Sequence, residues 1–218
     1  MVRAPVPAAG AAPRQRDAER TKAEILEVAT TVFARDGYSG ARVDEIASIT
    51  STTKRMIYYY FGGKEQLYLT VLENAYNGVR TAEQALEVDD LDPVSAIRRL
   101  AELTYDYHHE HPDFIRLVSI ENIHRGEFIR RLDTLRTVAH RAPAQIARIL
   151  ARGRAEDLFR TDVDEIDVHM VISAYCVFQV ANRHTFEHLF GRDLADEDAR
   201  SHHRTMMGDL VSAWLTRR

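Results

Sequence analysis

The 218-residue sequence lacks several features that would define a protein class at once. Its single cysteine, Cys176, excludes an internal disulfide and a cysteine-based zinc finger. Residues 1–13 are rich in alanine and proline and contain no run of Leu, Ile or Phe that could serve as a secretory signal. The most apolar stretch, Val168–Ala181, is interrupted by polar residues and is shorter than the ~18 residues a membrane span needs. We therefore expect a cytoplasmic protein with no membrane partner.

An excess of positive charge, which would indicate a nucleic-acid partner, is absent from the chain as a whole. The net charge is −4. The charge is nevertheless unevenly distributed, because residues 1–67 carry 10 Lys and Arg against 8 Asp and Glu, whereas residues 68–218 carry 19 against 25. The sign of this difference fits a small N-terminal domain that approaches phosphate and a larger domain that does not.

Alternating apolar and polar runs typical of strands are also missing. After Gln15 the apolar residues recur at spacings of three and four, which predicts an all-α protein of about nine helices. Residues 1–16 contain three prolines and three arginines and are interpreted as a flexible basic arm, or equally as a disordered tail without a role.

Residues 17–63 are predicted to form a three-helix domain. The helices are expected over residues 17–35, 42–48 and 54–60. Gly37 provides a stop after the first helix, and Thr53 can cap the third. Since the second and third helices are short and joined by a tight turn, they are predicted to form a helix-turn-helix. The expected core consists of Ile25, Val28, Ala29, Val32, Phe33, Val43, Ile46, Ala47, Ile57 and Phe61.

Residues 64–218 are predicted to form a second, helical domain. Its helices are expected over residues 64–85, 93–111, 112–126, 133–157, 164–190 and 196–218. Asp92, Asp164 and Asp196 are the predicted N-caps, and Pro143 is expected to kink or break the helix that contains it. Segment 164–190 is apolar nearly all round, which predicts burial on two sides.

Several motifs at fixed spacing carry a resemblance to a known family. They are Gly37-Tyr38, Val43-Asp44-Glu45-Ile46-Ala47, Ile57-Tyr58-Tyr59-Tyr60-Phe61 and Lys64-Glu65-Gln66-Leu67. Over Thr21–Leu67 the chain resembles the TetR family of bacterial one-component transcription regulators. The resemblance implies an Ω-shaped homodimer with an N-terminal DNA-binding head. The C-terminal body would bind a small ligand and dimerise through the last two predicted helices, 164–190 and 196–218.

The function that this resemblance implies is ligand-responsive regulation of transcription. The protein would be a repressor that binds a near-palindromic double-stranded DNA operator and is released by a small-molecule effector. A transcriptional activator and a DNA-binding protein without an effector remain open as alternatives. No enzymatic activity and no cofactor are expected.

The chain departs from the family pattern at two places. The turn reads Thr50-Ser51-Thr52 where members usually carry Ala-Gly-Val, and a left-handed backbone costs more at Ser51 than at glycine. Arg42 replaces a common Thr, and Arg55-Met56 replaces a common Gly-Thr pair. These changes indicate a different operator.

Candidate DNA contacts cluster around the third helix. Lys54 and Arg55 can read base edges, since both donate to guanine O6 and N7. The other candidates are Thr53 as the cap, Arg42, Lys64, Tyr58 and Tyr60 for phosphate, and Met56 and Tyr59 for thymine methyl groups. At least one of the three consecutive tyrosines is expected to lie in the core, because a helix cannot direct all three to one surface.

Candidate ligand contacts form two polar groups in the body. One group comprises Glu121, Asn122, His124 and Arg125, and the other comprises Tyr175, Phe178, Asn182 and Arg183. If both face one cavity, they suit a ligand with an aromatic or apolar body and a polar or anionic group. Equally, each residue could serve as a helix cap or an interhelical hydrogen-bonding group.

Metal binding is the distant alternative. Glu121-x-x-His124 and His184-x-x-x-His188 each place two potential ligands on one helical face. A helical metalloprotein or enzyme built on Glu121 and His124 would need a second such motif, which the sequence lacks. We therefore expect no metal site.

Overall fold

The computed structural model describes residues 13–135 and 141–217, with side chains from Asp17 onward except at 141 and 142. Over these residues the chain is all-α, as predicted. The α-helices are α1 (Pro13–Gly40), α2 (Val43–Ile49), α3 (Lys54–Phe61), α4 (Lys64–Gln84), α5 (Pro93–Glu110), α6 (Pro112–Ile123), α7 (Arg141–Ala155), α8 (Glu165–Ala181), α9 (Arg183–Phe190) and α10 (Glu197–Thr216). A short 3₁₀ turn, Ile129–Arg131, follows α6.

The chain divides into two compact units between Val71 and Leu72. Helix α1 of the first unit begins at Pro13, four residues before the predicted start, so only residues 1–12 of the predicted arm lie outside the described residues. Gly37 interrupts α1 as expected: its φ of 68° is a backbone conformation that disfavours residues with a Cβ. One further turn follows before α2.

The core of the first unit is formed by the predicted helical faces. Ile25, Ala29, Val32 and Phe33 of α1 are buried, as are Val43, Ile46 and Ala47 of α2 and Ile57 of α3. Val28 and Phe61, which were also expected in the core, are only half-buried. The ring of Phe33 meets that of Tyr68 edge-on, with centroids 4.8 Å apart. These contacts hold α3 by one face and leave its other faces to solvent.

The turn between α2 and α3 has the strained backbone that the sequence predicts. Ser51 has a φ of 49°, in the left-handed region where a non-glycine residue is disfavoured. Thr50 stabilises the preceding end of α2, since its hydroxyl donates to the carbonyl of Ile46 over 2.8 Å. Thr53 then caps α3 by accepting from the Met56 N–H, as predicted.

The core of the second unit lies among α5, α7, α8 and α10. It includes Ile97, Leu100 and Tyr105 of α5, Ile146 and Ile149 of α7, Val168, Ile172 and Cys176 of α8, and Met207, Val211 and Leu215 of α10. Asp92, Asp164 and Asp196 cap α5, α8 and α10, as predicted. The cap at Asp164 is a full capping box with Asp167.

Two predicted helices of this unit differ from the observed ones. The single helix expected over 164–190 is wrong, because the chain breaks at Asn182 into α8 and α9. Asn182 has a ψ of 2°, and its carbonyl accepts from the Thr185 hydroxyl, a local hydrogen bond of the kind that competes with helix continuation. The predicted helix over 133–157 crosses residues 136–140, which lie outside the described residues, and its later part is α7.

No helix among the described residues has both the length and the apolar character needed to cross a bilayer.

Candidate nucleic-acid interface and ligand site

The N-terminal turn of α3 presents two basic side chains to solvent. Lys54 and Arg55 are both exposed, and Ile57 is fully buried beneath them. Lys54 pairs with Asp44 of α2, with 3.2 Å between Nζ and Oδ2. Arg55 forms no ion pair within the described part of the chain. Its guanidinium is therefore the better placed of the two for a bidentate contact with guanine.

The three consecutive tyrosines of α3 do not behave as expected. None is buried: Tyr58 is 41% exposed, Tyr59 is 77% exposed and Tyr60 is half-buried. The expectation of a core tyrosine is wrong because Ile57 alone fills the inward position of this short helix. Tyr60 instead lies near Lys22 of α1, whose Nζ is 5.8 Å from the ring centroid. The apolar candidate Met56 is half-buried.

Arg42 and Lys64 lie at helix N-termini, but their surroundings differ. Arg42 is exposed at the N-cap position of α2, and its side chain makes no capping hydrogen bond. Lys64 begins α4 with its Nζ 4.8 Å from the ring centroid of Tyr38 and 3.5 Å from the carbonyl oxygen of Ser39. Partial burial lowers the pKa of Lys64.

The first group of candidate ligand residues lies at the end of α6. Glu121 is buried, and its Oε2 accepts from the backbone N–H groups of Phe128 and Ile129 at 3.2 and 3.0 Å. Asn122 is exposed and donates to the carbonyl of Val118. His124 and Arg125 are both exposed. Within this group, Glu121 stabilises the connection that follows α6.

The second group follows α8 and its junction with α9. Tyr175 is half-buried and donates its hydroxyl to the carbonyl of His203 over 3.2 Å. Phe178 is partly exposed and meets the ring of Phe186 edge-on. Asn182 ends α8, and Arg183 forms a two-bond ion pair with Asp193 at 3.0 and 3.1 Å. The observed contacts of this group are thus a helix end, one interhelical hydrogen bond, a ring contact and an ion pair with the connection between α9 and α10.

Sequence reasoning missed a polar cluster inside the second unit. Arg80 and Glu83 of α4 are both buried and form an ion pair, with 2.5 Å between Nη1 and Oε2. His108 of α5 is also buried, within reach of the charge of Arg80. One face of α4 carries Tyr76, Val79, Arg80 and Glu83, so two charged residues interrupt an otherwise apolar, inward-facing stripe. This interruption is the sequence signal from which the polar cluster could have been predicted.

Burial sets the protonation state of this cluster. It raises the pKa of Glu83, against the opposing effect of Arg80, and it lowers the pKa of His108 to about 3. The charge of Arg80 also lowers the pKa values of His108 and His169. Both imidazoles are therefore neutral at pH 7. Within the described residues, no group of three His, Cys, Asp or Glu side chains could hold a metal ion.

Helices α8 and α10 each carry an apolar stripe that is exposed in the single chain. On α8 the stripe includes Ile166 and Met170. On α10, Met206, Leu210 and Trp214 line a mainly apolar depression together with Arg160. Side chains of this kind at helical spacing are typical of a surface that another protein covers.

Comparisons with known proteins agree with these features. The family model for bacterial regulatory proteins of the tetR family matches residues 25–71, and a model for a tetracyclin repressor-like C-terminal domain matches residues 93–211. The HTH-type transcriptional repressor NicS of Pseudomonas putida is 36% identical over 94% of this chain and 96% of its own length. The HTH-type transcriptional repressor SCO4008 of Streptomyces coelicolor is 40% identical over 51% of this chain and 54% of its own.

Solved structures show the same fold. The putative transcriptional regulator SCO4942 of Streptomyces coelicolor aligns with a TM-score of 0.67 at 23% identity, over 91% of this chain and 99% of that one. A tetR-family regulatory protein from Rhodococcus RHA1 aligns with a TM-score of 0.70 at 15% identity, over 91% and 98%. At these identities the likeness concerns the fold alone.

Proposed function

Because the chain belongs to the tetR family of bacterial regulatory proteins, we propose that it is a transcriptional repressor that binds a near-palindromic operator as a homodimer and is released by a small-molecule effector. The observation that carries this proposal is the solvent-facing N-terminus of α3, where Lys54 and Arg55 stand on a helix-turn-helix. Repression is supported by NicS, a relative over nearly the whole chain that is named a repressor.

On DNA, α3 enters the major groove with its first turn against the base edges. Arg55 reads guanine. Lys54 does so after its ion pair with Asp44 breaks and its ammonium group contacts the base instead. Arg42, Lys64, Tyr58 and Tyr60 contact phosphate and fix the register, while Met56 and Tyr59 touch thymine methyl groups. Exposure of Arg42, Tyr58 and Tyr59 supports their part in this surface.

Two copies are required, because one short recognition helix reads too few bases to select a site. In a symmetric dimer the two α3 helices meet successive major grooves ~34–36 Å apart, which makes the operator a near-palindrome. The exposed stripes on α8 and α10 support dimerisation through these helices. Burying them removes apolar surface from water in both copies at once.

Release by an effector is a coupling between two binding equilibria. An effector that favours a dimer state unable to fit both grooves weakens operator binding, and the operator must weaken effector binding by the same factor. Couplings of ~1–3 kcal/mol, or about 5- to 150-fold, are typical.

The test is a salt titration of operator binding. The purified protein is mixed with the intergenic DNA upstream of its own gene and with scrambled DNA of equal length. Wild type should shift the upstream DNA specifically, with an affinity that falls steeply as salt rises. Arg55→Ala should relax the sequence preference, with a loss of ~1–3 kcal/mol confined to sites that keep the guanine. Lys64→Ala should weaken binding to all sequences alike.

Two results would contradict the proposal. One is the absence of specific binding at low salt. The other is an Arg55→Ala variant that discriminates between upstream and scrambled DNA as well as wild type does, since base reading could not then depend on α3.

A further inference from the structure

The buried ion pair of α4 leaves a strong hydrogen-bond donor unused. Arg80 is 8% exposed and Glu83 is 3% exposed, and one bond joins Nη1 to Oε2 over 2.5 Å. The Nε–H of Arg80 is buried and has no partner within the described residues. A guanidinium edge that includes Nε is the geometry that pairs with a carboxylate through two parallel bonds.

Two aromatic side chains lie close enough to Arg80 to feel its charge, which opposes the rise in the pKa of Tyr76 and contributes to the fall in the pKa of His108. The imidazole of His108 stacks near Phe114 with centroids 5.6 Å apart, and Phe114 meets the ring of Tyr76 edge-on at 5.2 Å. The Nδ1 atom of His108 is also buried without a partner in the described part of the chain. The adjoining apolar residues are Val79, Ile115, Val118, Val177 and Val180. The second unit thus places two unpartnered polar atoms beside flat rings and aliphatic side chains.

Buried polar atoms without partners cost free energy, and a ligand that supplies the missing partners recovers it. A carboxylate suits Arg80, because its oxygens accept from Nε and add the negative charge that a single Glu83 contact only partly provides. A planar ring suits Tyr76, His108 and Phe114, whose rings favour stacked or edge-on neighbours. His108 can then donate to or accept from a ring substituent through Nδ1.

We propose that Arg80, Glu83 and His108 form the effector site, and that the effector is a small planar aromatic carboxylic acid whose carboxylate binds Arg80. This inference rests on the proposed function in calling the ligand an effector, but binding of the acid to the protein does not require DNA. Glu83 competes with the ligand for Arg80. Because burial raises the pKa of Glu83, its carboxyl group can become neutral and leave Arg80 to the ligand.

The test is calorimetric titration of the purified full-length protein, without DNA, with benzoate, 4-hydroxybenzoate and phenylacetate. At least one acid should bind with a 1:1 stoichiometry per chain. The matching primary amide, which keeps the shape and loses the charge, should bind at least tenfold more weakly. Failure of all three acids to bind, or equal binding of acid and amide, would overturn the proposal.

Two variants test whether the acid binds at the Arg80–Glu83 pair. The double variant Arg80→Met with Glu83→Leu replaces the pair by apolar side chains of similar size, a change that buried ion pairs often tolerate. It should bind the acid at least tenfold more weakly than wild type. Glu83→Gln should bind the acid more tightly, because it removes the competing carboxylate and keeps Arg80. A double variant that binds as wild type does, or a Glu83→Gln variant that binds less well, would contradict the assignment.

The matched control is Asp113→Leu with Arg116→Met on α6, a less buried pair at the same spacing in sequence with 3.3 Å between its charged atoms. This variant should bind the acid as wild type does. Failure of this inference and failure of the proposed function are distinguishable. Specific operator binding without acid binding would reject only the site and the ligand class, whereas acid binding without operator binding would reject only the repressor.

Discussion

At the residue scale, a single glycine in α7 determines how closely the chain can fold back after that helix. Gly153 lies against the ring of Phe159, and a Cβ at this position would overlap the ring atoms. Phe159 belongs to the core of the second unit and is almost fully buried. The ring therefore cannot move outward without exposing core surface.

We expect Gly153→Ala to destabilise the protein although alanine favours helices. The gain in helix propensity is at most ~1 kcal/mol. Overpacking against a fixed ring costs ~1–3 kcal/mol, so the free energy of unfolding should fall by up to about 2 kcal/mol. Urea denaturation followed by circular dichroism measures it. Gly63→Ala is the control, because its Cβ would meet only ordinary contacts with Tyr58 at 3.7 Å.

Which residue-scale features the sequence predicts depends on how local they are. Caps at Thr53, Asp92 and Asp164 were predictable, because each involves N–H groups two or three residues away. The half-buried position of Tyr60 was not, since it depends on α1 and on where Lys22 lies. The Arg80–Glu83 pair was missed for the same reason, because its burial comes from other helices.

At the element scale, α8 divides its apolar residues between two faces. Val168, Ile172 and Cys176 are buried in the core, whereas Ile166 and Met170 are exposed. The sequence predicted two apolar faces for this segment but not its end at Asn182. Periodicity continues through the break, so the pattern alone could not separate α8 from α9.

The exposed stripes make a prediction about assembly. Met170 is 61% exposed and Leu210 is 48% exposed, so a glutamate at either position is tolerated by an isolated chain. In a dimer through α8 and α10 it would bury a charge in an apolar interface, which is strongly unfavourable. We expect Met170→Glu with Leu210→Glu to convert the proposed dimer to a monomer in sedimentation velocity, with an unchanged circular dichroism spectrum.

Ile123→Glu is the matched control for assembly, because Ile123 is also a highly exposed apolar residue and lies at the end of α6. It should sediment as the wild-type protein does. A monomeric wild type, or a double variant that remains dimeric, would exclude the α8 and α10 surface as the dimer interface.

At the scale of the whole molecule, the net negative charge of the chain is unfavourable for DNA binding. The net charge is −4, but residues 1–67 carry a small excess of basic groups. DNA binding then depends on a few contacts in a small region and not on a general attraction. The salt dependence of affinity counts those contacts, because each neutralised phosphate releases counterions and contributes ~0.9 to the slope of log K against log salt.

The salt-dependence slope also shows whether one or two copies of the chain bind each operator. Arg42 is exposed at the start of α2 and is proposed to contact phosphate. If a dimer engages both half-sites, Arg42→Ala removes two contacts and should reduce the slope by about 1.8, whereas a monomer would lose about 0.9. Arg116→Ala makes the same change in net charge within the second unit and should leave the slope unaltered. Equal slopes for Arg42→Ala and wild type would remove Arg42 from the interface, and a decrease near 0.9 would mean that a single head binds DNA.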